Sequence, residues 1–396
     1  MKTLLLIGLL LPFLISCQSK KPAATLDQTI SIDLHESVEP QGPAEEWIED
    51  LQFIPLETNP ECYISSRLRY NLNQDHIVVS SNETVHLFTR DGRHLKSFKR
   101  QGKGPGEYGM IYGVDLLPDR DEIMVAAPNQ RKILCFDFSG NSTAEIRTPF
   151  MAANVAPLKG GLFACYLGRM VRMGETSPEL YQAVFFNREG QIVSKYLPFK
   201  YPMRSVTAVD FTYSGEDGIY FINPAYGYDI YQAGPGDQFF VKYRFSYGDH
   251  SMDTSLLSNE KIMTSAEPDR SFGRKFTDLD HLAITSNTIS LWGPVIQGKT
   301  RMGMRYINRT TGHVRFMELD SLFNFGHYAG VPIEFGSQSS GEYFTFTKDA
   351  IDLMEILKKL TPEQKQALSK IKGFDRLAQL KADDNPVLIL YKVRDF

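Results

Sequence analysis

A short glycine-rich segment combines residue types that could bind an anion or a ligand. Residues 102–108 read GKGPGEY. Backbone N–H groups in such a loop can cradle a phosphate, but a phosphate loop ends in Gly-Lys followed by Ser or Thr and opens a helix. Here an acid and a phenol follow, and the next residues have strand-like composition. We predict a loop shaped by glycine and proline, with ligand contact through Glu107 or Tyr108 as the alternative. The candidate residues are Gly102, Gly104, Pro105, Gly106, Glu107 and Tyr108.

The eight histidines do not show the spacings typical of metal sites. The sequence contains no HxH or HExxH pattern, and His86 and His94 flank one predicted hairpin turn. We therefore predict surface positions on strands for this pair and no metal site. The sequence also lacks a CxxC pair, which argues against a cysteine-based zinc site, and a GxSxG nucleophile motif. It indicates no catalytic residue.

The cysteines and the charge balance narrow the class of protein. Cys135 and Cys165 lie in apolar, strand-like runs, which favours buried free thiols, while a disulfide involving Cys62 stays open. The formal net charge of −4 indicates a mildly acidic surface. Nucleic-acid-binding proteins favour basic patches, so we expect no nucleic-acid partner.

The N-terminus joins a short apolar run to a cysteine. Lys2 precedes apolar residues 4–15, a run too short to span a bilayer, which takes about 20 residues. The run ends in Leu-Ile-Ser-Cys, which resembles the lipobox of bacterial lipoproteins, whose cysteine receives the lipid. We predict a signal peptide over residues 1–16, lipidation of Cys17, and a tethering segment over residues 17–44. The lipid would place the protein in the cell envelope, at the outer membrane.

From residue 51 onward, short strands alternate with turn signals. Four segments repeat a strand, a tight turn ending in glycine and a second strand, with the turn glycines at Gly92, Gly140, Gly190 and Gly312. The first three glycines are 48 and 50 residues apart. A period near 48 residues with four strands in each unit is typical of a β-propeller, and the chain length fits six blades best.

The C-terminal part of the chain predicts a helical insertion and a closing strand. Residues 349–382 contain an amphipathic pattern whose apolar face has Ile351, Met354, Leu357 and Leu360. A capping box follows at residues 361–364, with Gly373 as a stop. The apolar run at residues 387–393 follows. We expect it to close the ring by pairing with a strand at residues 51–56, and residues 30–34 are a further candidate.

Residues 102–108 and the strand and turn at 132–140 resemble the six-bladed β-propeller lipoproteins of Bacteroidetes, which are related to NHL-repeat propellers. The stretches LQFIPLET at residues 51–58 and DNPVLILYK at 384–392 match as well. The resemblance implies an all-β propeller of four-stranded blades over residues 45–396. It says more about fold and compartment than about activity.

Three functions are compatible with the sequence. A non-enzymatic binding or scaffold module of unknown ligand is favoured, held at a membrane by its lipid, with a protein or glycan partner at a propeller face. The first alternative is a hydrolase or lyase with calcium or zinc in the central channel, as in some related propellers. The second is a glycan-binding accessory lipoprotein. No cofactor is predicted for the favoured function.

Overall fold

The computed structural model consists mainly of β-strands. It describes residues 29–34, 39–40, 44–65, 68–167, 181–198, 212–214, 218–222, 229–234, 237–248, 280–297, 299–318, 324–334, 336 and 338–396. These residues form six four-stranded antiparallel blades in a ring, which confirms the predicted six-bladed β-propeller. None of the helices in the described part of the chain is both long and apolar enough to cross a membrane.

Three blades follow one another along the first half of the chain. Blade 1 contains β4 (Leu68–Leu72), β5 (His76–Ser81), β6 (Thr84–Thr89) and β7 (His94–Phe98). Blade 2 contains β8 (Gly113–Leu116), β9 (Glu122–Ala127), β10 (Lys132–Asp137) and β11 (Ser142–Arg147). Blade 3 contains β12 (Asn154–Pro157), β13 (Leu162–Tyr166), β14 (Tyr181–Asn187) and β15 (Ile192–Pro198). The first strands of neighbouring blades contact each other, so they surround the centre of the ring.

The remaining three blades complete the circle. Blade 4 contains β16 (Thr212–Ser214), β17 (Gly218–Ile222), β18 (Asp229–Ala233) and β19 (Phe239–Ser246). Blade 5 contains β20 (Asp280–Ile284), β21 (Thr288–Gln297), β22 (Lys299–Asn308) and β23 (Val314–Glu318). A hairpin of β24 (Asn324–Tyr328) and β25 (Val331–Glu334) follows. Blade 6 contains β26 (Gln338–Ser340), β27 (Tyr343–Lys348), β28 (Val387–Val393) and, from the N-terminal side, β3 (Ile48–Pro55).

Apolar side chains fill the space between successive blades. The described residues form six hydrophobic clusters, each of them between two neighbouring blades. Between blades 1 and 2, for example, Leu87 and Phe98 belong to one cluster with Ile123 and Phe136. Because each blade packs on both neighbours, an open ring would leave two of these apolar faces uncovered.

The two ends of the propeller meet in blade 6. A short helix, α1 (Ala44–Trp47), leads into β3, which pairs antiparallel with β28 in a register that joins Pro55 to Val387. This confirms that the strand predicted at residues 51–56 pairs with the last strand of the chain. The hydroxyl groups of Tyr391 and Tyr306 lie 2.9 Å apart and connect blade 6 to blade 5.

Two short N-terminal strands extend other blades. β1 (Ile30–Asp33) lies parallel to β19 as a fifth strand of blade 4, and β2 (Glu39–Pro40) lies parallel to β23 in blade 5. The prediction that residues 30–34 help to close the ring is therefore wrong. The outermost strand of each blade offers an unpaired edge, and the sequence of a four-residue strand does not specify which edge it will use.

Two of the four turn glycines have a second role besides reversing the chain. All four adopt positive φ angles, between 75° and 87°, as the predicted hairpins require. A Cβ atom on Gly190 would also lie 2.0 Å from the carbonyl oxygen of Arg147, at the end of the outermost strand of the preceding blade. Gly92 approaches the Pro55 carbonyl in the same way, at 2.4 Å. These turns therefore lie against the neighbouring blade, where a side chain would not fit.

A helical insertion separates β27 from β28, as predicted. It contains three helices, α2 (Ala350–Lys359), α3 (Pro362–Leu368) and α4 (Phe374–Leu377). The predicted capping box is present. The backbone N–H of Gln364 donates to Thr361 Oγ1, and the backbone N–H of Thr361 donates to Gln364 Oε1. Gly373 was predicted to end a helix. It instead lies just before α4, with a φ of 82°. A Cβ at this position would meet the Phe53 carbonyl oxygen at 2.0 Å.

Candidate functional site

The GKGPGEY loop connects blade 1 to blade 2, between β7 and β8. Two backbone hydrogen bonds give it a compact shape: Gly102 N–H donates to the Tyr108 carbonyl at 2.8 Å, and Tyr108 N–H donates to the Arg100 carbonyl at 2.9 Å. Pro105 is exposed at the middle of the segment. The loop thus folds back on itself instead of opening a helix.

The Glu107 carboxylate points into its own loop. Its Oε2 accepts a hydrogen bond from Gly104 N–H at 2.8 Å. A Cβ on Gly102 would lie 2.0 Å from this same oxygen, so a glycine at 102 leaves the space that the carboxylate occupies. A carboxylate that lies over the backbone amides would repel a phosphate. This agrees with the prediction that the segment is not a phosphate loop.

Tyr108 is buried between the blades. Its hydroxyl donates to the Glu83 carbonyl at 3.1 Å and accepts from Arg100 N–H at 3.1 Å, while its ring meets Phe136 of blade 2 edge-on. Burial raises the pKa of Tyr108 to about 12. The phenol is therefore neutral near pH 7 and serves as an internal contact between blades 1 and 2.

Two charged residues of blade 2 hold the other side of the loop. Lys132 Nζ donates to the Gly104 carbonyl at 3.2 Å, and Glu145 Oε2 accepts from Gly106 N–H at 2.9 Å. The two side chains form an ion pair at 3.6 Å. Burial alone would raise the pKa of Glu145. The hydrogen bond from the Gly106 N–H and the positive charge of Lys132 have the larger combined effect, so the pKa of Glu145 is lowered. The loop is held by charge-assisted hydrogen bonds to blade 2.

Gly106→Val is expected to reduce the free energy of unfolding by about 1–3 kcal/mol, because the residue has a φ of 69° and its Cβ would lie 3.3 Å from Ser142 Cβ. Chemical denaturation followed by circular dichroism measures the change. Gly104→Ala is the matched control, since Gly104 has an ordinary φ and its added Cβ would meet only the Glu107 side chain. A Gly106→Val protein as stable as the parent would show that the loop does not need this backbone geometry.

A second group of polar side chains lies at the junction of blades 6 and 1. We call Cys62, His86, His94 and Ser97 the seam cluster. One ligand-type atom from each of Cys62, His86 and His94 lies within 4.8 Å of the corresponding atoms of the other two. The Ser97 hydroxyl is 2.7 Å from His86 Nδ1 and 2.8 Å from His94 Nε2.

A β-bulge places the two histidines on the same face of blade 1. His86 pairs with Ser97 across β6 and β7, and Phe88 pairs with His94, although the register shifts between Leu87 and Phe88. Residues 94 and 97 would lie on opposite faces of a regular strand, because side chains alternate. The extra residue in β7 restores the same orientation, so both imidazoles point to Ser97.

The third member, Cys62, comes from the connection between β3 and β4. The Cys62 N–H donates to the Asn59 carbonyl at 3.0 Å, which closes a tight turn. The buried Asn385 amide, just before β28, donates to the Cys62 carbonyl at 2.9 Å and accepts from Ile64 N–H at 2.7 Å. These bonds fix the thiol against blade 1.

The protonation of the seam cluster follows from its burial. His86 is only 2% exposed, so the prediction of a surface position is wrong for this residue. Burial, assisted by the nearby His94, lowers the pKa of His86 to about 4, and burial raises the pKa of Cys62 to about 12. Near pH 7 the cluster therefore contains a neutral His86 imidazole and a protonated thiol.

The other sequence candidates occupy separate places. Cys135 and Cys165 are buried and unpaired in the packing between blades 2 and 3, and Cys62 is also unpaired. Cys17 and the lipobox-like segment lie outside the described residues. The structure does not bring the seam cluster and the GKGPGEY loop into one site, since each belongs to a different inter-blade connection.

Comparison with known proteins agrees with the fold. A structure from Bacteroides fragilis, described as an exported protein, is 16% identical to this chain and superposes with a TM-score of 0.66. The superposition covers 93% of this chain and 100% of that protein. A member of the DUF4221 family from Bacteroides vulgatus is 11% identical with a TM-score of 0.47, covering 88% of this chain and 97% of its own. No curated protein sequence matches the chain.

The family assignment rests on a match over most of the sequence. The model of DUF4934, a domain of unknown function, matches residues 29–392, which include every blade of the ring and the closing strands. The chain therefore belongs to the DUF4934 family.

Proposed function

We propose that this chain is a membrane-anchored binding or scaffold propeller of the bacterial cell envelope, similar to NHL-like propeller lipoproteins. The similarity of the whole ring to a protein described as exported supports the compartment. The lipobox-like residues before Cys17 support the anchor, and cleavage there leaves a mature chain that begins with the lipid-bearing cysteine.

The position of β1 carries the proposal. Only residues 18–29 separate Cys17 from this strand, which lies on the outer edge of blade 4. Twelve residues span at most about 40 Å when fully extended. A lipid on Cys17 would hold the ring within that distance of a membrane, with its outer edge attached and its faces free to meet a partner.

The inter-blade loops are the surfaces that we assign to binding. Residues 56–65 and 99–112 both run from the outermost strand of one blade to the innermost strand of the next, so they open on the same face of the ring. Each loop is fixed by buried hydrogen bonds and also presents a large exposed apolar side chain, Tyr63 or Met110. Binding residues are commonly presented by loops on a rigid scaffold.

The anchor is tested by Cys17→Ala, which is expected to release the protein from membranes or to leave an uncleaved precursor. The reason is that alanine lacks the thiol to which the lipid would be attached, and lipid chains provide the membrane affinity. Fractionation of cells and gel mobility measure both outcomes. Cys165→Ala, which removes a buried thiol, is the matched control and should remain membrane-bound. Unchanged fractionation and processing of Cys17→Ala would refute the anchor.

A further inference from the structure

We propose that Cys62, His86 and His94 bind one divalent transition-metal ion, best matched by Zn²⁺, and that this ion fastens the junction of blades 6 and 1. One thiolate and two imidazoles are ligand types that zinc prefers in proteins. This site lies on β6, β7 and the loop after β3, away from the first strands that surround the central channel. It is therefore distinct from a channel metal.

The distances fit a site without its ion. With Zn–S bonds of about 2.3 Å and Zn–N bonds of about 2.0 Å, the ligand atoms of a tetrahedral site lie about 3.3–3.8 Å apart. The three atoms here lie within 4.8 Å of one another, so no separation would have to shorten by more than about 1.5 Å. Binding would replace the Cys62 thiol proton with the metal and release that proton to water.

The hydrogen bonding of the cluster leaves a place for an ion. His86 Nε2 is buried and hydrogen-bonds no described residue, although His86 Nδ1 is held by the Ser97 hydroxyl at 2.7 Å. A buried imidazole with one nitrogen bonded to a neighbour and the other unpartnered has the arrangement of a histidine ligand, whose second nitrogen is usually held by the protein. The Ser97 oxygen also faces His94, so it lies beside the proposed ion.

The surroundings of the three ligands are already ordered. The Asn385 side-chain amide donates to the Cys62 carbonyl, and Glu57 Oε2 accepts from the backbone N–H of His94 at 2.8 Å. The Asn59 side-chain amide lies 3.4 Å from His94 Nδ1. Cys62 and His86 are buried, so the ion would be largely shielded from solvent. Three protein ligands leave the fourth position of a tetrahedral site to water or to the neighbouring Ser97 hydroxyl. An ion would connect the loop that follows the closing strand β3 directly to blade 1.

The test uses the full mature chain, stripped of metal and dialysed against Zn²⁺ or Co²⁺. We expect one Zn²⁺ per chain by elemental analysis, a thiolate-to-cobalt charge-transfer band in the Co²⁺ form, and a higher thermal midpoint with Zn²⁺. Loss of a residue that only hydrogen-bonds a metal ligand lowers the metal affinity about 10–100-fold. Cys62→Ser and His94→Gln remove a ligand itself, so they should lower the Zn²⁺ affinity by about 100-fold or more.

Cys165→Ala and His313→Gln are the matched controls, because Cys165 is buried far along the chain in blade 3 and His313 is exposed. Both should bind Zn²⁺ like the parent. Wild-type protein without bound Zn²⁺ or without the charge-transfer band would overturn the proposal, and this readout does not depend on how well a variant folds. Equal Zn²⁺ affinity in the parent and in a folded Cys62→Ser variant would overturn it as well.

Discussion

A chain that ends at Asn385 is expected to lose cooperative unfolding. Such a truncation removes β28, so β27 and β3 both lose their partner strand. It also removes Ile389 and Tyr391 from the packing between blades 5 and 6, and Leu388 and Leu390 from that between blades 6 and 1. An open ring with uncovered apolar faces and unpaired edges is a poor folding unit.

Thermal unfolding followed by circular dichroism and by tryptophan fluorescence measures this effect. A chain ending at Asp395 is the control, since it keeps β28 complete and loses only Phe396, and it should unfold in one cooperative transition like the parent. If the chain without β28 melts like the full one, pairing of the two ends does not hold the ring together.

Asn385→Ala is expected to lower the free energy of unfolding by about 3 kcal/mol, since it leaves three backbone groups without their partner, two of them in the interior. The Asn385 amide donates to the carbonyls of Glu57 and Cys62 at 2.7 and 2.9 Å, and it accepts from Ile64 N–H at 2.7 Å. The residue is fully buried beside the closing strand. Urea denaturation measures the loss.

Asn141→Ala provides the comparison for this prediction. Asn141 also makes a side-chain hydrogen bond, to Asp137 at 2.9 Å, but in an exposed turn where water can replace the amide. Its loss should lower the free energy of unfolding by less than about 1 kcal/mol. Equal effects of the two substitutions would mean that Asn385 does not fix the loop that follows β3.

Local signals in the sequence predicted much of the ring. A turn that needs a positive φ selects glycine, so Gly92, Gly140, Gly190 and Gly312 mark hairpins that the structure contains. The apolar runs at both ends of the propeller indicated which strands pair, because a closed ring needs a partner for its last blade. The strand at residues 30–34 was predicted in the wrong blade because blade edges look alike in the sequence.

Where two interpretations shared one local pattern, packing decided between them. The sequence predicts one apolar helix face with Ile351, Met354, Leu357 and Leu360, yet Ile351 is 49% exposed and Leu353 is buried. Leu357 and Leu360 of the predicted face do pack in the cluster that contains blade 6, and Leu353 joins them there. Periodicity specified a helix but did not determine which side would face the blade.

The seam cluster could not be predicted from residue spacing. Cys62 precedes His86 by 24 residues and comes from the connection between two blades, so no short motif contains both. His94 and Ser97 share a face only because of the bulge in β7. The position of the bulge is clear only once the pairing of β6 and β7 is known, whereas the GKGPGEY loop stands out from composition alone.

Photo-cross-linking in intact cells tests most directly that the inter-blade loops bind a partner at the membrane. A photoreactive residue at Met110 or Tyr63, which are 51% and 65% exposed, should give one reproducible adduct in the anchored protein. The same residue at Ile351, which is comparably exposed on α2, should not give that adduct. A binding role of the inter-blade loops would be contradicted if neither loop position produced an adduct, or if Ile351 gave the same adduct with equal yield.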